Sequence, residues 1–200
     1  MKLDFLLAIR ESAVCSQMRE LAERIDLVVP FTLSAMARGG LLDQLGGGFA
    51  RYSVDKDWKI PHFEKMLYDN ALLLASYARA HRRSPDPLFT AVAEETVTWL
   101  LREMKAPDGG FYSSLDADVE GEEGKSYVWN PSQVEEVLGE DDAKSFCEAY
   151  DVSAEGNFEN GFSNPVERFE IGITLAPAFQ GQGYATEALR ATLTAVLRIR

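Results

Sequence analysis

The 200-residue chain has little of the chemistry that usually announces a function. Its two cysteines, Cys15 and Cys147, lie far apart in no metal-ligand spacing, so neither a disulfide framework nor a zinc site is indicated, and no metal is expected. No run reaches the roughly 18 apolar residues that a membrane span requires. Basic residues are scarce: 20 Lys and Arg face 32 Asp and Glu, for a net charge of −12. Residues 166–200 carry four arginines against three glutamates, a balance of +1, which leaves −13 on the first 165 residues. So acidic a body repels phosphate backbones and anionic lipid, making nucleic acid and membranes poor partners. The opening Met-Lys-Leu-Asp-Phe-Leu-Leu-Ala-Ile-Arg-Glu is apolar only briefly, and Asp4, Arg10 and Glu11 interrupt it. No signal peptide is expected, and the chain reads as cytoplasmic.

What is present is apolar content of 46%, ample for a core, arranged mostly at helical spacing. Leu6, Ile9, Val14, Met18, Leu21 and Ile25 predict one or two helices over 3–28. Pro30 suits the first turn of a new helix that Gly39-Gly40 would stop. A wide stripe of Met66, Leu67, Ala71, Leu74, Ala75 and Ala78 predicts a helix over 64–82, and Phe89, Val92, Thr96 and Leu100 another over 88–105. Asn130-Pro131-Ser132-Gln133 has the form of a helix start, with a capping residue, proline first and glutamine third, so helices are expected at 131–138 and 140–150. Two long glycine-rich connections, 39–63 and 106–130, are of the kind that more often carries function than spacing. Near Pro165 composition and charge change together, and residues 170–175 read as a short strand. The predicted organisation is therefore a mainly α part, 1–165, and a strand–turn–helix part, 166–200.

The densest chemistry lies in 45–70. Phe49, Tyr52, Trp58 and Phe63 offer ring faces for stacking on sugars, while Arg51, His62, Glu64 and Asp69 offer hydrogen bonds or proton transfer. The alternative is structural: the rings are core, and Arg51, Glu64 and Lys65 are paired charges.

The run Met36-Ala-Arg-Gly-Gly-Leu-Leu-Asp-Gln-Leu-Gly-Gly-Gly-Phe-Ala-Arg-Tyr-Ser-Val-Asp55, with Trp58-Lys-Ile-Pro-His-Phe-Glu-Lys-Met-Leu-Tyr-Asp-Asn70, resembles the thioredoxin-domain-containing family of spermatogenesis-associated proteins. The resemblance continues through Gly109-Gly-Phe-Tyr112, Asp116-Ala-Asp118 and Tyr127-Val-Trp129 to Gly156-Asn-Phe-Glu159, covering about 32–163. It implies part of an (α/α)6 toroid of six-hairpin glycosidase type, whose central cavity handles carbohydrate. Carried over, His62, Glu64, Lys65, Tyr68, Asp69, Asp116 and Asp118 would face that cavity. Within it His62, Glu64 and Asp69 would be catalytic, with Arg51, Tyr52, Trp58, Asp116 and Asp118 contacting a sugar or polyol. The chain departs from the family in having no Cys-x-x-Cys and about five helices where a toroid needs twelve. An incomplete ring is expected, with helix faces left uncovered for self-association.

Asp116-Ala-Asp118-Val-Glu120-Gly121 opens like a calcium loop, but its twelfth position is Tyr127 rather than glutamate, which leaves a solvated acidic turn or a ligand-facing loop. Further on, Gln180-Gly181-Gln182-Gly183-Tyr184-Ala185 sits between the short strand and a helix over 184–198. Its backbone N–H groups and the positive helix end suit a pyrophosphate. With its flanks, Phe169 to Arg190, this turn resembles the acetyl-CoA motif of GNAT N-acetyltransferases. Two family fragments meeting near residue 165 point to a truncated or fused chain. The leading expectation is a carbohydrate-handling toroid part short of full catalytic competence. The alternatives are an acetyl-CoA-binding N-acetyltransferase and a helical protein that oligomerises.

Overall fold

The computed structural model describes residues 2–12 and 17–167, all within one compact unit, Met1–Arg168. Cys15, the expected strand at 170–175 and the turn at Gln180–Ala185 lie outside the described residues. Six α-helices are described: α1 (Lys2–Glu11), α2 (Arg19–Arg38), α3 (Leu67–Arg83), α4 (Pro87–Trp99), α5 (Pro131–Leu138) and α6 (Glu140–Ala149). Between them lie two-residue strands, β1 (Tyr52–Ser53), β2 (Pro61–His62), β3 (Lys65–Met66), β4 (Ser114–Leu115), β5 (Asp118–Val119) and β6 (Glu122–Glu123). They pair antiparallel as β1–β2, β3–β4 and β5–β6. The described part is mainly α, as expected. No described helix is long and apolar enough to cross a membrane.

Three boundaries differ from those the sequence predicts. Pro30 starts nothing; α2 runs through it from Arg19 to Arg38. A mid-helix proline forfeits one backbone bond, at a cost of about 3 kcal/mol. The buried stripe Ala22, Ile25, Val29, Leu33 and Ala37 holds both halves of α2 against one core and offsets that loss. The helix expected at 64–82 begins only at Leu67, because Lys65–Met66 is claimed by β3 pairing with Ser114–Leu115. The helix expected to 105 is regular only to Trp99, and a π-helical turn over Leu100–Met104 completes it. By contrast, α5 starts where its cap predicts. The Asn130 side chain accepts from Gln133 N, and the Gln133 side chain accepts from Asn130 N.

The main core joins α1 to α4 with the loop residues Leu41, Leu42 and Phe49. Its centre is Tyr77, wholly buried, stacked on Phe49 at 5.6 Å and edge-on to Phe89 at 5.5 Å. The Tyr77 hydroxyl donates to Leu33 O at 2.7 Å, which satisfies the one polar atom that burial would otherwise strand, and burial raises its pKa strongly. A smaller core of Val134, Ala143 and Val152, with Trp129, Phe146 and Cys147 against it, ties α5 to α6. Burial pushes the Cys147 thiol up.

The first long connection is anchored to α3 by one amide. Asn70, wholly buried, accepts from Phe49 N at 2.7 Å and donates to Phe49 O and Met66 O, both at 2.9 Å. Its side chain stands in for a strand partner to Phe49. Gly48, at φ +79, lets the same loop lie on Trp99; a Cβ there would come within 2.4 Å of the indole. The chemistry-bearing segment is thus held on both sides.

Candidate functional site

Residues 61–66 form one extended stretch whose side chains alternate strictly. Pro61, Phe63 and Lys65 are buried, while His62, Glu64 and Met66 are half-buried on the other face. Alternation is the geometry of a strand, and it sorts this segment's titratable groups into two sites.

On the outer face His62 pairs with Tyr52 across β1–β2, and their rings stack at 5.1 Å. Its Nδ1 is 2.7 Å from Glu123 Oε1, while its Nε2 stands 3.9 Å from Glu64 Oε2. Glu64 is taken by Arg51, whose Nη1 donates to Oε2 at 2.9 Å, and Arg51 N donates to Glu64 O at 2.8 Å. The Glu64 hydrogen bond raises the Arg51 pKa. Asp69, in the first turn of α3, has its pKa raised by burial, with Arg51 opposing and Glu64 adding to the rise. Five expected site residues, Arg51, Tyr52, His62, Glu64 and Asp69, therefore come together.

Other expected contacts go elsewhere. Phe49 and Phe63 are core rather than ligand platforms, at 0% and 2% exposure. One face of Tyr52 is covered by His62. Trp58, in a left-handed conformation at φ 58, packs against the main core, and its carbonyl accepts from Gly40 N at 2.7 Å. Lys65 points away from His62 into the interior. Asp116 and Asp118 are exposed, and Asp116 Oδ1 accepts from Asp118 N at 3.3 Å within their own loop. Among the described residues no group of three or more acidic, histidine or cysteine side chains is placed to hold a metal ion.

Sequence reasoning missed Glu123. It belongs to a tight β5–β6 hairpin whose turn has positive φ at Glu120 and Gly121, the geometry that matches strand twist. The Glu-Gly pair between short alternating runs was the available signal. Nothing local linked it to His62, 61 residues earlier.

On the inner face Lys65, only 4% exposed at its side chain, bonds Asp43 Oδ2 and Gly47 O, each at 2.8 Å. Its ammonium lies 4.7 Å from the Tyr127 ring centroid and 5.4 Å from that of Trp99. Burial lowers its pKa, and Asp43 opposes the fall. The pair holds the Gly46–Gly48 loop closed; it is structural.

Comparison with known proteins adds what local geometry cannot. The acetyltransferase (GNAT) domain model matches residues 77–199, more than half of the chain. The chain belongs to the GNAT acetyltransferase family. Such a domain suggests an α/β fold. The described residues within the match are chiefly helical with two-residue strands. The matched span includes Asp116, Asp118 and Gln180–Ala185, while the His62 cluster precedes it apart from Glu123.

The chain is also similar to curated proteins. It is 44% identical over 115 residues to spermatogenesis-associated protein 20 of Homo sapiens, a stretch covering 54% of this chain and 15% of that protein. The Rattus norvegicus protein of the same name matches equally, at 44% over 115 residues. Uncharacterized protein B0495.5 of Caenorhabditis elegans is 33% identical over 171 residues, 78% of this chain and 23% of the relative. The chain thus spans less than a quarter of these relatives' length.

Proposed function

We propose that the protein is an acetyl-CoA-binding N-acetyltransferase, carried by the GNAT match over 77–199. In this reading the turn Gln180, Gly181, Gln182, Gly183, Tyr184 and Ala185 holds the pyrophosphate. By sequence the donor set fits: consecutive backbone N–H groups ahead of the expected helix, with glycines that allow close approach. When bound, acetyl-CoA supplies the thioester that acylates an amine. The test is a thermal melt with and without the cofactor. At about 100 times the dissociation constant, binding adds about 2.7 kcal/mol of stability. Gly183→Asp should abolish the shift, because a carboxylate would meet the pyrophosphate. An unshifted parent melt removes the reading.

A second reading is favoured by the His62 cluster together with the similarity to spermatogenesis-associated protein 20. Here residues 1–165 are part of an (α/α)6 toroid that handles a sugar or polyol. His62 or Glu64 transfers the proton, and Asp69, Arg51 and Tyr52 complete the contacts. His62→Ala should abolish monosaccharide binding in a calorimetric titration, and unchanged binding eliminates the idea. The boundary near Pro165, a cytoplasmic location and self-association through exposed apolar residues such as Leu27, Phe31 and Val137 belong to the same proposal. Sedimentation at several concentrations tests the last, and a strictly monomeric result counts against it.

A further inference from the structure

The contact between His62 and Glu123 has a chemical consequence that neither residue carries alone. An ionised carboxylate has acceptors only, so the 2.7 Å contact requires the proton on Nδ1 of His62. In the neutral ring Nε2 then carries the lone pair. That nitrogen is 3.9 Å from Glu64, beyond hydrogen-bond distance, and Glu64 itself is engaged by Arg51 at 2.9 Å. The ring plane is set from a third side by the Tyr52 stack, at an interplanar angle of 22°.

The hairpin that delivers Glu123 is pinned at its base. Gly124, buried at φ +75, lies on the Phe63 ring, where a Cβ would come within 2.6 Å of Cε2. Its N–H donates to Ala117 O at 3.0 Å. Phe63 is in turn stacked on Tyr127 at 5.4 Å and edge-on to Phe158 at 5.5 Å. Since Phe63 follows His62 and Gly124 follows Glu123, this packing sets the two polar side chains face to face. The neighbouring carboxylates of the hairpin turn elsewhere: Glu120 and Glu122 both bind Lys125, at 2.8 and 3.3 Å.

We propose that Glu123 is the positioning residue of His62. It holds the proton on Nδ1 and presents Nε2 as the acceptor for a hydroxyl of a neutral, polyhydroxylated ligand, while Arg51 keeps Glu64 out of that role. The ligand class rests on the carbohydrate reading above; the positioning does not.

The two parts are separated by one set of measurements on the full chain. The protein has only two histidines, so ring nitrogen resonances in a 15N-labelled sample are resolved by residue once His62→Gln has assigned them. In the parent, neutral His62 should carry its proton on Nδ1. Glu123→Ala should move that proton to Nε2, the form an unpartnered histidine side chain prefers, and Glu123→Gln, which keeps an acceptor oxygen, should restore the Nδ1–H form. Unchanged His81 resonances, from a ring 3.0 Å from Asp86 O and remote in sequence from the hairpin, show that the variant is folded. A His62 tautomer that ignores Glu123→Ala overturns the proposal. Titration of the parent with glucose then addresses the ligand alone: absence of binding removes the carbohydrate reading, and a responding tautomer still establishes Glu123 as the positioning group.

Discussion

His62 and Lys65 stand three residues apart and live in different electrostatic worlds. His62 and Glu64 belong to a half-exposed cluster in which each group has partners and room for water. Lys65 is buried beside the Trp99 and Tyr127 rings and paired directly with the Asp43 carboxylate. The inner pair is screened weakly, so its integrity is worth much, and losing one member strands a buried charge. The outer cluster is screened by solvent, so its members contribute little to stability. The difference separates scaffold from candidate chemistry within one strand.

Breaking the inner pair tests the contrast most severely. Lys65→Ala should destabilise the protein by about 3 kcal/mol, because the largely buried Asp43 carboxylate is left without its cation. Urea unfolding measures it, and a loss well under 1 kcal/mol would erase the distinction. The outer pair is the counterpart. A double-mutant cycle on Arg51→Ala and Glu64→Ala should give a coupling below about 1 kcal/mol, since the side chains are 45% and 25% exposed. Smaller still is a surface network remote from the His62 site. Asp26 bridges Arg83 and Arg10, and these hydrogen bonds, that to Arg83 first, hold its pKa at about 2. The folded value lies below the unfolded one, so this stabilisation is present above about pH 4 and fades as pH falls towards 2. Comparing the parent with Asp26→Asn should show the parent more stable above about pH 4, by under about 1 kcal/mol, with the difference vanishing as pH falls towards 2.

How much of this was legible depended on how far each residue's partners lie along the chain. The Asn130–Gln133 cap acts over three residues and appears where expected. The stripe of α4 was equally plain, since helical spacing is local, but that of α3 misled: Ala71, Ala75 and Ala78 are exposed, and the buried face carries Asn70, Tyr77 and Ala80. Lys65–Met66 was misassigned to a helix because its true partners, Ser114 and Leu115, come about 50 residues later. Phe49 and Phe63 were offered as ligand platforms because an aromatic ring reads alike in a pocket and in a core. Asn70 and Gly124 decide those two cases, one by bonding the Phe49 backbone and the other by lying flat on Phe63. Of the candidate site, the outer members Arg51, Tyr52, His62, Glu64 and Asp69 were visible as a dense run. Glu123 was not, since its approach to His62 exists only once the hairpin is folded.

What the amino-acid sequence determined by itself was the set of local structures, with their caps, apolar stripes and glycine turns, and an acidic net charge. Those follow from torsional preference, spacing and charge, which act between near neighbours. Only the tertiary structure decided which charges are buried and which stay exposed. Alternation along 61–66 divides the residues into two faces, but it is the packing of Trp99, Tyr127 and the β5–β6 hairpin that makes one face interior and leaves the other open to water.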